Sequence, residues 1–167
     1  MEIRLTTTSS IVKNTPMGGN VGPDKYVYLI DDVQKMYLEP VLGTKLYKKI
    51  QEDYNTNSLT GLYSKLHTDY IVPYLDRAVF ADYETNGKYR IRNNGNVVHT
   101  PNNSRDTTRQ EDDKVYQNYI NKAQMYLSDM EKFLCVEGVN IPEYKQQDNE
   151  YDDKPKEGQS PITWFLK

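Results

Sequence analysis

The stretch from Asp24 to Tyr54 constrains the fold most, because two helical patterns meet there at a proline and a glycine. Tyr26, Leu29, Ile30, Val33, Met36 and Tyr37 recur at the spacing of one helical face. Asp24 after Pro23 predicts an N-cap. Asp31 and Lys35 predict an acid-first i,i+4 pair on the solvated side. Pro40 lacks an N–H and pushes Glu39 away from helical angles, which predicts a helix end there. Gly43 can take the left-handed conformation that closes such an end. Thr44 then caps a second helix carrying Leu46, Tyr47, Ile50 and Tyr54.

The rest of the chain continues the helical theme. A third helix is predicted from near Leu59, with Leu62, Tyr63, Leu66 and Tyr70 as its first stripe. Pro73 should kink it, and Leu75, Ala78, Val79 and Tyr83 resume the stripe beyond. A last helix opens on the capping-box spacing Thr108-Arg109-Gln110-Glu111. It carries a continuous stripe from Tyr116 to Leu134 and stops at Gly138. Between these helices, Lys88-Tyr89-Arg90-Ile91-Arg92 alternates, Asn93-Asn94-Gly95-Asn96 signals a turn, and Val97-Val98 offers a return strand.

The predicted class is therefore mainly α. It is a small bundle of about four helices with a β-hairpin insertion and extended N- and C-terminal arms. Residues 1–23, rich in Thr, Ser and Gly, read as an N-terminal arm. Residues 24–144 form the helical domain, with the hairpin insertion at 85–107. Residues 145–167 form a polar linker ending in the apolar tip Pro161-Ile162-Thr163-Trp164-Phe165-Leu166.

Composition bounds the function. The chain has 167 residues, a size that suits one domain with a real core. A formal net charge of -3 does not mark a general nucleic-acid binder. Tyrosine is over-used, 15 against three Phe and one Trp, and a ring with a wet hydroxyl suits interfaces. The single cysteine, Cys135, permits no intramolecular disulfide and reads as a small core residue. No apolar run reaches the ~20 residues of a membrane span, and Met1–Thr6 lacks a signal-peptide apolar core, so the expected site of action is the cytoplasm or an assembly made there.

The usual chemical signatures are missing. One cysteine and the distant His67 and His99 do not make a structural zinc site, and His67 reads as a packing or surface residue. Neither His-Glu-x-x-His nor Gly-x-Ser-x-Gly occurs. The reading is no enzyme, no cofactor, no metal and no membrane partner. The charged constellation with a physical use is Lys88, Arg90 and Arg92 on one strand face, with Arg105 and Arg109 nearby. It could meet DNA phosphates or an acidic protein ring. Ile162, Trp164, Phe165 and Leu166 are candidates for docking, with a neighbouring subunit the favoured partner.

The order of helix, Leu38-x-Pro40-x-Leu42-Gly43, short helix with Leu46-Tyr47, long helix, insertion, long final helix and Ile141-Pro142-x-Tyr144 resembles the head–tail connector proteins of tailed bacteriophages. These are also called adaptor or head-completion proteins, and the resemblance is strongest to the neck ring proteins of crAss-like phages. It implies a helical protomer in a ring of twelve copies beneath the portal, surrounding the DNA channel. Its partners would be itself, the portal protein, further neck or tail proteins, and DNA passing without sequence specificity. Its location would be the virion neck, after assembly in the host cytoplasm. The alternative from the residues is a small helical nucleic-acid-binding or regulatory protein.

Overall fold

The structure, a computed structural model, describes residues 3–87, 89–92, 95–98 and 109–145, with side chains described over 3–85 and 113–144. Eight α-helical segments are described: α1 (Thr8–Asn14), α2 (Val27–Val33), α3 (Glu39–Leu42), α4 (Thr44–Asn55), α5 (Gly61–Lys65), α6 (Val72–Asp82), α7 (Arg109–Glu137) and α8 (Pro142–Lys145). A π turn, Gln34–Leu38, joins α2 to α3, and another, Leu66–Ile71, joins α5 to α6. These pairs therefore run as two continuous helices.

Both of these π turns stand one residue before a proline, whereas a third, Tyr83–Gly87, follows α6 with no proline after it. Glu39 donates its N–H to the Gln34 carbonyl, and Val72 donates to the His67 carbonyl, both five residues back. Pro40 and Pro73 then occupy the second position of α3 and α6. In a regular α-helix a proline ring collides with the carbonyl four residues back, and a widened turn with one extra residue relieves that collision. This corrects the expected helix end at Pro40: Glu39 keeps helical angles, φ -56 and ψ -44. The chain turns at Gly43 instead, with φ 76 and ψ 150, a region open essentially to glycine. Thr44 is the first residue of α4 rather than its cap, and its hydroxyl donates to Glu39 Oε1 at 3.1 Å.

α6 is the central element. Tyr74, Leu75, Asp76, Ala78, Val79, Phe80 and Ala81 are all buried, because α1, α2 and α7 pack around it. A helix apolar on nearly every side belongs in the middle of a body. Leu38, Leu42, Leu46, Ile50, Leu66, Ile71 and Leu75 are fully buried, and so are Leu5 and Ile11 from the N-terminal segment. Each such side chain contributes about 1.5–3 kcal/mol relative to exposure. The rim of the core is aromatic: Tyr70 lies against Phe133 and Phe80 meets Tyr119 edge-on, at ring separations of 5.0 and 4.6 Å. Gly138 ends α7 as foreseen, and the reason is contact: a Cβ there would lie 2.6 Å from the Tyr144 ring.

The expected fold class is corrected in two respects. Of the expected arm at 1–23, residues 3–23 are not extended, because α1, Leu5, Ile11 and Met17 belong to the core. Nor is a β-hairpin a component of the architecture, because the packed body is wholly helical. Tyr89–Arg92 and Gly95–Val98 pair antiparallel over four residues each. A two-stranded ladder of that length is too small to stand as a folding unit. Period-2 polarity signals local strand geometry but carries no information about packing. Two local expectations also change. No side chain caps α2, whose N-cap is Tyr26. Asp31 receives Arg4, while Lys35 pairs with Glu39.

Gly43→Ala should lower the unfolding free energy by about 1–3 kcal/mol, since φ 76 is strained for any residue with a Cβ. Urea denaturation followed by circular dichroism measures this, and an unchanged midpoint would refute the role given to Gly43.

Candidate functional site

Two features of the body are built from polar or aromatic side chains brought together from distant parts of the chain. The first is a clamp on residues 3–14. Asp76 lies in the middle of α6 and is fully buried. An isolated buried carboxylate is very costly, and this one is satisfied from the N-terminal segment. Thr6 Oγ1 donates to Oδ1 at 2.6 Å, while Ser10 Oγ and Asn14 Nδ2 each donate to Oδ2 at 2.7 Å. Ser10 and Asn14 are one helical turn apart on α1, so both reach the same oxygen. Thr7 accepts from the Ser10 N–H at 3.1 Å and so caps α1.

The clamp continues along Ile3–Leu5. Gln34, also fully buried, accepts from the Leu5 N–H at 2.6 Å and donates to the Ile3 carbonyl at 3.1 Å. One side-chain amide thus serves a donor and an acceptor two residues apart, as a neighbouring strand would. Gln51 donates to the same Ile3 carbonyl at 2.8 Å, and both glutamines donate to the Tyr47 hydroxyl, at 3.2 and 3.0 Å. His67 Nε2 lies 2.8 Å from the Leu5 carbonyl, which requires the Nε2–H tautomer, and its ring leans on Tyr54 at 4.8 Å. Burial lowers the His67 pKa, and the bond to Leu5 works in the opposite direction. Arg4 closes the outer edge with a two-bond contact to Asp31 at 2.8 and 2.7 Å.

The second feature is a cleft between α2, α6 and α7. Tyr37, Tyr74, Ala78, Asp82, Tyr116 and Ile120 are among its walls, and it encloses about 480 Å³ including the solvent at its mouth. The phenols of Tyr37, Tyr74 and Tyr116 are all shifted up, chiefly by burial; the Asp82 charge adds to this at Tyr37 and Tyr116. These phenols therefore stay neutral donors, and the cleft offers ring faces, hydroxyls and a carboxylate.

The residues singled out from the sequence are distributed as follows. Leu38, Pro40, Leu42 and Gly43 form the corner into α4, with Leu38 and Leu42 in the core and Pro40 exposed. The Lys88, Arg90 and Arg92 side chains lie outside the described residues, as do Ile162, Trp164, Phe165 and Leu166. Cys135 is exposed rather than a core residue, since it lies off the buried Ala123–Leu127–Met130–Leu134 stripe. His67 is a buried polar contact, not a surface residue. Among the described residues no three His, Cys, Asp or Glu side chains are grouped to hold a metal, and no helix is long and apolar enough to cross a membrane.

Sequence reasoning missed Gln34, Gln51 and Asp76. The available signal was position: Gln34 follows Ile30 by four residues, and Asp76 sits between Leu75 and Ala78 within a buried run. A polar residue inside an apolar stripe points to an internal partner.

Asp76→Ala should destabilise the chain by about 3 kcal/mol, because it strands the buried Thr6 hydroxyl and removes charge-assisted bonds. Limited proteolysis should then cut near Arg4 or Lys13 while α7 stays protected; resistance equal to the parent would contradict the clamp. The His67 shift has a defined sign. A histidine with a folded pKa below 6.5 favours the folded state fully above 6.5, and that contribution is lost as pH falls towards the folded pKa. Melting curves should show this loss below pH 6.5, and His67→Gln should reduce it.

No curated protein and no solved structure matches the chain. A family model, DUF6712, described as a family of unknown function, matches residues 38–154, from the corner residue Leu38 through α8. Since that match covers well over half of the sequence, the chain belongs to the DUF6712 family.

Proposed function

We propose that the protein is a structural subunit of a phage head–tail connector ring, bridging the portal and the tail components and helping to retain packaged DNA. One observation carries this reading beyond the sequence resemblance: the body exposes large apolar side chains on two different flanks. Met36, 61% exposed, and Tyr28 lie on the α2 side, while Met125 and Val136, the latter 71% exposed, lie on α7. Both elements pack on α6. Two unlike apolar flanks suit head-to-tail contact, in which each copy presents one face to the copy before and the other to the copy after; such contact closes into a ring when the rotation per copy allows.

The packing supports the same reading through rigidity. The clamp ties residues 3–14 to α6 and to the π turn after α2, and α7 packs on the same α6. A ring subunit needs that fixity, because angular error accumulates from copy to copy. The basic residues Lys88, Arg90 and Arg92 would contribute to the channel or to the contact between rings in this reading.

Light scattering and negative-stain microscopy of the protein, alone and co-expressed with a portal protein, test the proposal. Rings are expected at least in the presence of the portal. Met36→Lys and Val136→Lys should each abolish them with no change in helical circular dichroism. A strictly monomeric protein in the presence of portal would refute the connector role.

A further inference from the structure

We infer that the cleft between α2, α6 and α7 is the seat of the chain's own C-terminal tip, with Trp164 as the inserted side chain. The inference does not depend on ring formation. Its first support is the chemistry of the cleft. Tyr37, Tyr74, Tyr116 and Ile120 offer apolar walls, and Ala78 leaves depth between them. An aromatic side chain entering such a site meets ring faces and edges at favourable geometry. Asp82 lines the same cleft, and a carboxylate has enough acceptor sites to take an indole N–H beside its other contacts. An aromatic body with one N–H donor is what this cleft recognises.

The second support is the content of the chain beyond α8. Residues 146–160 are dominated by Gln, Asp, Glu and Lys, and only then comes Pro161-Ile162-Thr163-Trp164-Phe165-Leu166. The only tryptophan of the protein stands in the middle of that apolar run.

The third support is reach. The cleft is level with Ile120 on α7, and α8 begins just past the opposite end of that helix, so roughly 30 Å separates them at 1.5 Å per helical residue. Residues 146–160 span at most about 50 Å when extended, and about 20 Å root-mean-square as a flexible coil. The linker therefore reaches its own cleft without full extension. At such a span the effective concentration of the tip is of millimolar order. Second copies free in solution at micromolar concentration compete poorly with it, so the occupant in the isolated protein is the same chain.

Trp164 reports on itself, since selective indole excitation sees no other residue. In the full-length native chain its emission should be blue-shifted from that of the urea-unfolded chain. Acrylamide should quench it several-fold less, and dilution should change neither property. Ala78→Phe, which fills the cleft floor, should return the emission to the unfolded value while helical circular dichroism is retained. Should that variant fail to fold, Tyr116→Arg at the half-exposed mouth makes the same test. Three results would each overturn the inference: native Trp164 as exposed as in urea, shielding lost on dilution, or shielding unaffected by a folded cleft variant. Ring formation by a chain with exposed Trp164 would leave the connector role intact and reject only this inference.

Discussion

A buried carboxyl group in the middle of the central helix is the constraint on which this structure depends. Asp76 is tolerable inside α6 only because Thr6, Ser10 and Asn14 bring it three donors. The helix cannot be buried on that side until the N-terminal segment arrives, and the segment has no comparable acceptor elsewhere among its described bonds. Gln34, Gln51 and His67 repeat this logic for the backbone of Ile3 and Leu5. Folding is thereby made to join residues 62 to 70 positions apart. Contacts of such separation are slow to form, yet they bind the N-terminal segment and the central helix into one cooperative unit.

The abundance of tyrosine takes on a meaning in this setting. Tyr26, Tyr47 and Tyr74 are buried. Of these, Tyr47 offers its hydroxyl to two glutamines at the clamp, and Tyr74 faces the cleft. Others, such as Tyr70, Tyr119 and Tyr126, lie half-buried at the rim of the core, set against Phe133, Phe80 and the Arg77 guanidinium. A core of modest apolar content is thus finished by rings that can also face water. Residues of that kind serve equally well when a neighbour covers them.

How much of this was readable beforehand depends on the range of the interaction. The stripes of α2, α4, α6 and α7 were legible, because helical periodicity is a local property. The corner was legible as a place and misread as a mechanism: Gly43 turns the chain, whereas Pro40 is absorbed by the preceding π turn. Nothing in a linear pattern marks a π turn, since one extra residue per turn looks like ordinary noise in the stripe. The N-terminal segment was misread for a sharper reason. Thr6, Ser10 and Asn14 are typical of turns, and their alternative use as donors to one buried acid depends on a residue far along the chain. The cleft depends on three helices at once. Its tyrosines were each visible, but their convergence was not.

The two π turns that precede a proline also say something about descent. Each pairs one surplus residue with one proline: Gln34–Leu38 with Pro40, and Leu66–Ile71 with Pro73. Removing the surplus residue alone would restore a regular α-turn and set a proline ring against a carbonyl. Replacing the proline alone would leave a bulge with nothing to accommodate. Insertion and proline should therefore be inherited together, so that a relative shorter by one residue at either turn also lacks the proline that follows it.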